Sequence, residues 1–375
     1  MEDRLHSLDG LRGIAACVVL LDHCMLVVPA VIKEHLGQPA RHGSLLWFVT
    51  STPLSLYWAG TQAVVVFFVL SGFVLIRMSE STRFTWRSYY PSRLLRLYLP
   101  VLGALGFAEI AAAAVRRHRI TGEPWLDLWA SPHLKEIPGD ALLFRGSRAL
   151  LPPLWSLKWE VLFSLLLPLA VYLSARSPRW GATQVAILLA LTCLGTESAG
   201  RSGYLLYLPM FGVGAIMARN RDALRRAGSR LGTGRGWSLM LAAVILTSGA
   251  WTRHVAPATV ARASEILGAA MLVFLCAYWQ PFRRRAESRI GQWLGKRSFS
   301  LYLVHFPIVV TTAFLLGHDA AFTFLIAIPA SLLAADVFFR AWEGPSHRLA
   351  QYVRKAFAAS ASGAPRSVEI AAHDR

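Results

Sequence analysis

The stretch LDGLRGIAACVVLLDHCMLVVPA, residues 8–30, decides the fold class. It is long enough to form one membrane-spanning helix, since about 20 apolar residues cross the hydrocarbon core of a bilayer. Similar stretches recur along the 375-residue chain, which is 55% hydrophobic and only 16% charged. We therefore predict an all-α, polytopic membrane bundle of about ten transmembrane helices. The predicted helices cover residues 8–30, 59–76, 94–115, 156–174, 182–195, 203–218, 237–252, 259–280, 298–317 and 320–342.

The formal net charge of +18 raises the question of a nucleic-acid partner, which the distribution of charge argues against. Most of the 39 Lys and Arg residues fall in cytoplasmic segments if the ten helices have both termini inside, as the positive-inside rule requires. The densest segments are 219–235 and 283–297. We therefore expect the lipid bilayer as the partner, with the basic loops facing anionic lipid or a polyphosphate ligand.

The chain is predicted to form a single membrane domain, residues 1–345. The polar segment that follows, residues 346–375, is rich in Ala and Ser and is expected to be a disordered cytoplasmic tail. The four cysteines lie in apolar stretches without metal-ligand spacing, so no metal site is predicted. The sequence leaves the oligomeric state open.

The first helix carries ionisable groups along one face. Arg12 and His23 are eleven residues apart, which on an α-helix is three turns plus about 20° and about 16 Å of rise. Asp9 lies within about 60° of the same stripe. Asp9 and Arg12 alone are also compatible with a charged helix start. An imidazole at membrane depth needs a partner or a wet cavity, so His23 is a candidate general base.

A carboxylate opens the fourth predicted helix, in the segment PPLWSLKWE of residues 152–160. Glu160 lies about one turn inside the helix, where an unpaired carboxylate is costly. Lys158 is about 200° away around the axis and is not its obvious partner. Either His23 or an arginine on another helix would serve.

Two further polar groups occur at helical spacing. Arg93 and Arg96 are at i,i+3 on one face, where they either anchor the cytoplasmic end or grip phosphates. Ser298, Tyr302 and His305, at i, i+4 and i+7, form a polar stripe in the ninth predicted helix.

These segments, in this order, resemble the acyltransferase-3 family of integral-membrane O-acyltransferases, and the resemblance covers about residues 5–345. The matching pieces are Leu8–Gly13 with His23, Phe67–Phe73, Arg93–Tyr98, Trp155–Leu157 with Glu160, and Ser300–Tyr302 with His305. Many family members have two acidic residues and a tyrosine around the fourth-helix motif, whereas this chain has Glu160 alone. This difference from the family bears on the expected contacts with the acceptor more than on the expected acyl-transfer chemistry.

The resemblance implies a cytoplasmic acyl-CoA, usually acetyl-CoA, as donor and a sugar hydroxyl of a glycolipid or polysaccharide as acceptor. It also implies a bacterial inner membrane. In the family, the arginine and histidine of the first helix are tied most closely to activity, a role that carries over to Arg12 and His23. The glutamate after the tryptophan–serine motif corresponds to Glu160.

The predicted chemistry follows from what acyl transfer from a thioester to an alcohol requires. His23 acts as general base or as acyl carrier, and Glu160 orients it. Arg12, Arg93 and Arg96 hold the CoA phosphates. The substrate-binding candidates are Asp9, Ser298, Ser300, Tyr302 and His305. Two other classes compete: a proton-coupled transporter or flippase of glycans or acyl groups, and a non-catalytic scaffold, for which so many buried polar groups would be wasteful.

Overall fold

The structure is a computed structural model that describes residues 5–36, 38, 40–118, 124–131, 137–143, 150–175, 180–198 and 203–361. Within these ranges the chain forms helices and contains no strand, which confirms the all-α class. The first ten helices are α1 His6–Met25, α2 Pro29–His35, α3 Leu45–Ser51, α4 Gly60–Ser79, α5 Trp86–Ala114, α6 Pro124–Asp127, α7 Ile137–Leu142, α8 Leu154–Leu165, α9 Leu167–Ser174 and α10 Gly181–Glu197.

The second half of the chain continues the bundle. Its helices are α11 Gly203–Arg219, α12 Arg221–Ser229, α13 Thr233–Thr247, α14 Gly249–Val255, α15 Ala258–Tyr278, α16 Gln280–Ala286, α17 Arg289–Leu315, α18 Ala320–Phe338 and α19 Gly344–Ala361. A 3₁₀ segment, Pro53–Trp58, precedes α4, and a π-helical segment, Phe339–Glu343, joins α18 to α19.

Helical structure occupies each of the ten positions predicted from the sequence. By length and composition, five helices of the described chain are able to cross a membrane: α4, α5, α15, α17 and the continuous run Ala320–Phe357. The α8–α9 pair, bent by 64°, makes a sixth if it counts as one span. The chain is therefore a polytopic membrane protein, while the number of ten crossings and the cytoplasmic position of both termini stay predictions.

Two predicted boundaries differ from the structure. Helix α5 begins at Trp86 rather than at residue 94, and α17 begins at Arg289 rather than at residue 298. Hydropathy marks only the apolar part of a helix, whereas Arg and Lys are good helix formers and let the helix extend beyond the membrane. Arg93 and Arg96 consequently lie about two and three turns inside α5, not at its entrance.

The segment after residue 345 also differs from the expectation of a disordered tail. Helix α19 continues to Ala361 and packs against α5. The prediction is wrong for residues 346–361 because α19 is amphipathic and buries one face on α5, with Ala350 4% exposed. Residues 362–375 of the predicted tail lie outside the described residues.

Close approaches between helix backbones fix the position of α1 in the bundle. Helix α1 packs most extensively on α17, and a Cβ atom added to Gly13 would lie 2.7 Å from the backbone nitrogen of Gly295. Gly72 of α4 likewise lies directly against the backbone of Phe211 in α11. Two glycines of the first two family motifs are therefore required for helix contact, as small residues are in membrane bundles.

Candidate active site

Two histidines from opposite ends of the sequence meet inside the bundle. His23 of α1 and His305 of α17 have ring centroids 4.9 Å apart, and His305 Nε2 lies 3.2 Å from His23 Nδ1. His305 is fully buried, whereas His23 keeps part of its surface accessible. The extensive α1–α17 contact fixes this pair.

The backbone around the pair defines where the ring protons sit. His305 Nδ1 lies 2.9 Å from the carbonyl oxygen of Leu301, and His23 Nδ1 lies 2.9 Å from that of Val19. A carbonyl oxygen only accepts, so each neutral imidazole carries its proton on Nδ1. His23 Nδ1–H is then shared between Val19 and the unprotonated Nε2 of His305. His23 Nε2 is left as a lone pair, the form that a general base requires.

The acid beside His23 in the sequence has a different partner. The carboxylate of Asp22 accepts a hydrogen bond from the backbone N–H of Gly60, the first residue of α4. A negative charge is favourable at a helix N-terminus. Asp22 therefore holds the start of α4, and His305 is the partner of His23.

Aromatic rings surround His23 at the end of α1 opposite Arg12. Phe306 meets the His23 ring edge-on at a centroid distance of 5.2 Å, and Trp125 lies 6.3 Å away. Trp129 packs against Phe306 at 5.0 Å. The imidazole thus sits under a group of flat apolar surfaces contributed by α6, the turn after it and α17.

The charged pair of α1 is intact. The guanidinium of Arg12 lies 3.4 Å from the carboxylate of Asp9 one turn earlier, and both side chains remain partly exposed. Helix α1 is unbroken from His6 to Met25, so Arg12 is about 16 Å below His23 along the axis. The predicted stripe of Asp9, Arg12 and His23 is present on one helix.

Glu160 does not contact His23. Its carboxylate accepts a hydrogen bond of 2.7 Å from the guanidinium of Arg93, and Arg93 Nε also donates to the hydroxyl of Ser164 at 3.2 Å. Of the two partners left open by the sequence, the structure selects the arginine. The predicted role of Glu160 in orienting His23 stays a prediction, since the carboxylate is engaged here in an ion pair that joins α8 to α5.

Arg96 completes a cluster of charges at this level of the bundle. It interacts electrostatically with Arg12, Arg93, Glu160 and Glu343. The side chain of Arg96 is exposed and makes no ion pair with any described residue. The three arginines predicted to hold the donor are therefore brought together from α1 and α5, and Arg96 is the one with a free guanidinium.

The remaining predicted substrate-binding residues are engaged by the protein. The Tyr302 hydroxyl donates to the carbonyl oxygen of Pro153 and is 2.7 Å from the hydroxyl of Ser156. The hydroxyl of Ser298 donates to the carbonyl of Gly295, and that of Ser300 donates to the carboxylate of Glu343. The hydroxyls of Tyr302 and Ser300 connect α17 to other segments, whereas the hydroxyl of Ser298 bonds within α17. Substrate binding by Ser298, Ser300 and Tyr302 stays a prediction.

The sequence reasoning missed two contacts. His305 was assigned to substrate binding rather than to His23, and Glu343 was not selected at all. His305 carried a signal, since it was a second imidazole at membrane depth. Glu343 carried none, because it lies just beyond residue 342, where the predicted last helix ended.

A comparison with known protein families agrees with this arrangement of histidines and arginines. The family model of the acyltransferase-3 acyltransferase domain matches residues 5–340, which include the histidine pair and the arginine cluster. The chain belongs to the acyltransferase-3 family. It is therefore an acyltransferase of the membrane, and the transporter and scaffold alternatives are set aside.

Two curated relatives of this acyltransferase carry the same activity in their names. One, the acyltransferase MdmB of Streptomyces mycarofaciens, is 26% identical over 82% of this chain and 79% of its own length. The other, the acyltransferase clz18 of Cochliobolus lunatus, is 24% identical over 91% of this chain and 94% of its own length. No solved structure matches the chain.

The site therefore brings together two imidazoles and three guanidiniums. His23 Nε2 carries a lone pair, His305 accepts from His23 Nδ1–H, and Arg12 lies about 16 Å from His23 along α1. Among the described residues, no group of three or more His, Cys, Asp or Glu side chains is arranged to hold a metal.

Proposed function

We propose that this acyltransferase moves an acyl group, with acetyl as the first candidate, from a cytoplasmic acyl-CoA to a hydroxyl of a carbohydrate acceptor on a glycolipid or polysaccharide. The observation that carries the proposal is the His23–His305 pair, whose hydrogen bonds leave His23 Nε2 unprotonated. A lone pair with a neighbour that stabilises its protonated form is what deprotonating an alcohol requires.

In the proposed reaction His23 Nε2 removes the proton from the acceptor hydroxyl as the oxygen attacks the thioester carbonyl. The tetrahedral intermediate then collapses, the C–S bond breaks, and the CoA thiolate takes the proton back from His23. The positive charge on His23 is stabilised through Nδ1–H by the lone pair of His305, the part that a carboxylate plays in a catalytic triad. An acyl-histidine intermediate would use the same nitrogen as nucleophile, so both routes remain open.

The donor is proposed to bind across the distance between the arginines and His23. Arg96 and Arg12 hold the phosphates of CoA, since guanidinium groups bind phosphate oxygens bidentately. The pantetheine arm spans the remaining ~16 Å to the imidazole. Arg93 is engaged by Glu160, so its contribution to donor binding is smaller than that of Arg96.

The acceptor is proposed to approach from the aromatic side. The buried rings of Trp125 and Phe306 lie next to His23 and opposite the arginines, and the partly exposed ring of Trp129 packs on Phe306. Such rings pack against the apolar face of a sugar while leaving its hydroxyls free. Donor and acceptor would then reach the same nitrogen from opposite ends of α1, as transfer across a membrane requires. We propose a bacterial inner membrane as the location.

The test is acetyl transfer by the purified protein in detergent, measured as thiol release from acetyl-CoA. We expect turnover in the wild type, none in His23→Ala, and unchanged turnover in His42→Ala, which alters an exposed histidine of the α2–α3 loop. Turnover without a membrane gradient is expected for this enzyme. Equal rates in His23→Ala and wild type would refute the assignment of His23, and absence of acetyl-CoA binding in the folded protein would refute the donor.

A further inference from the structure

A second concentration of arginines lies away from the histidine pair. A cavity of about 1170 Å³ lies between the C-terminal end of α4, helix α12, the C-terminal end of α15 and helix α16. None of Arg12, Arg93 and Arg96 lines it, so the site proposed for the donor does not include this cavity. Six arginines do line it: Arg77, Arg221, Arg225, Arg283, Arg284 and Arg285.

The acidic groups near the cavity do not balance this charge. Asp222 is the acidic side chain that lines it among the described residues. Glu80 pairs with Arg221 and also with Arg219, and Glu287 pairs with Arg283. The cavity therefore keeps an excess of positive charge even after its ion pairs are formed.

Two of the six arginines lack an ion-pair partner among the described residues. Arg225 and Arg284 make no ion pair with any residue that the structure describes, although they line the same cavity from α12 and α16. Like charges that converge on one concave space repel one another, and the field between low-dielectric walls is stronger than on a flat surface. Simple anchoring at the membrane face does not require the arginines to converge.

Packing holds the cavity walls in place before any ligand binds. Gly228 of α12 lies directly against Tyr278 at the end of α15, so no side chain fits between these helices. Arg285 stacks over the ring of Trp237 at 5.4 Å, and Arg77 lies 6.0 Å from the ring of Phe73. Cation–π contacts of this kind restrict the guanidinium groups to a few orientations. The contacts of Arg77 and Arg285 therefore reduce the ordering that ligand binding has to impose on these two side chains.

We propose that this cavity is a binding site for a ligand bearing phosphate groups, either the headgroup of an anionic phospholipid or a soluble polyphosphate. Arginine binds phosphate oxygens in pairs, and a ligand with two or more negative charges would neutralise Arg225 and Arg284 together. For either ligand, the arginines would bind the phosphate oxygens. The site goes beyond acyl transfer, because it shares no residue with the histidine pair or with the three arginines assigned to the donor.

The experiment compares two double variants of equal charge. Arg225→Gln with Arg284→Gln removes these two arginines, and since neither has an ion pair the fold should survive. Arg226→Gln with Arg230→Gln is the matched control, because both of these exposed arginines belong to α12 or its end and neither lines the cavity. Binding of radiolabelled inorganic pyrophosphate is measured for the full protein in neutral detergent. The thermal midpoint is measured in phosphatidylcholine nanodiscs with and without phosphatidylglycerol.

We expect the wild type and the control to bind one of the two probes and the cavity variant to bind it at least ~10-fold more weakly, which is the loss of about 1.4 kcal/mol. Pyrophosphate binding identifies a soluble ligand, and stabilisation by phosphatidylglycerol alone identifies a lipid headgroup. The proposal is overturned if the two double variants behave alike or if neither probe acts on the wild type. Elution of both variants as the wild-type species on size exclusion establishes that they are folded.

Discussion

His305 Nε2 lies 3.2 Å from His23 Nδ1, although 282 residues separate the two histidines in the chain. The contact joins α1 to α17 inside the helix bundle. Because backbone carbonyls fix the proton of each ring on Nδ1, the pair has a direction, with His23 donating and His305 accepting. In the proposed reaction His305 is thus a positioning residue for His23.

The direction of this hydrogen bond gives the first prediction. His305→Phe removes the acceptor for His23 Nδ1–H and should lower kcat by about 100-fold, within the range of general-base contributions. His305→Gln keeps an accepting oxygen and should retain more of kcat. The KM for acetyl-CoA should stay unchanged in both, since the arginines are distant. Steady-state kinetics in detergent measures this, and equal kcat in the two variants would contradict the proposed role.

The ion pair of Glu160 gives the second prediction. Glu160→Gln should destabilise the protein by about 1–3 kcal/mol, less than for a fully buried pair, because the side chains of Arg93 and Glu160 are 13% and 24% exposed. Adding Arg93→Gln should restore part of the loss, since no charge is then left unpaired. Thermal midpoints of the single and double variants measure it. A stable but inactive Glu160→Gln would instead support the orienting role expected from the sequence.

The third prediction concerns the donor. Arg12→Gln and Arg96→Gln should each raise the KM for acetyl-CoA by about 10-fold or more, as expected for the loss of a charge-assisted hydrogen bond to phosphate. The KM for S-acetylpantetheine, which has no phosphate, should change little. Arg87→Gln is the control, because Arg87 is an exposed arginine of the same helix α5. A similar loss with both thioesters would show that the arginines do not bind the phosphates.

The fourth prediction concerns the contact between α1 and α17. Gly13→Ala should destabilise the fold by about 1–3 kcal/mol, because the new methyl group would lie 2.7 Å from the Gly295 backbone, which cannot move aside locally. Gly106→Ala in α5 is the matched control, since nothing lies within 4 Å of its added Cβ, and it should be neutral or stabilising. Unfolding followed by circular dichroism distinguishes them, and equal stability of the two variants would contradict the packing argument.

The fifth prediction separates structure from substrate binding at Tyr302. Tyr302→Phe should lose about 1–3 kcal/mol of stability, since the carbonyl of Pro153 and the hydroxyl of Ser156 lose a partner. The KM values should be close to those of the wild type. Ser156→Ala should be non-additive with it, as neighbours in one network are. A large rise in the acceptor KM with unchanged stability would return Tyr302 to the substrate site.

Sequence patterns identified the stripe of Asp9, Arg12 and His23 because it depends only on helical periodicity within one segment. The same periodicity placed Glu160 inside a helix and so implied that its carboxylate has a partner, but it did not identify that partner. The choice between His23 and Arg93 depends on which helices are neighbours and how far each is rotated. That information lies in the packing of α5 against α8 and not in either segment alone.

The sequence by itself therefore determined the helical class, the approximate helix positions, the common face of Asp9, Arg12 and His23 on α1, and membership in a family through its motifs. Only the tertiary structure decided the partners across helices: His305 for His23, Arg93 for Glu160, and Glu343 for Ser300. The physical reason is that the period of a helix fixes the direction of a side chain around its own axis. The residue that this side chain contacts depends on which other helices approach closely, as α17 approaches α1 at Gly13 and Gly295.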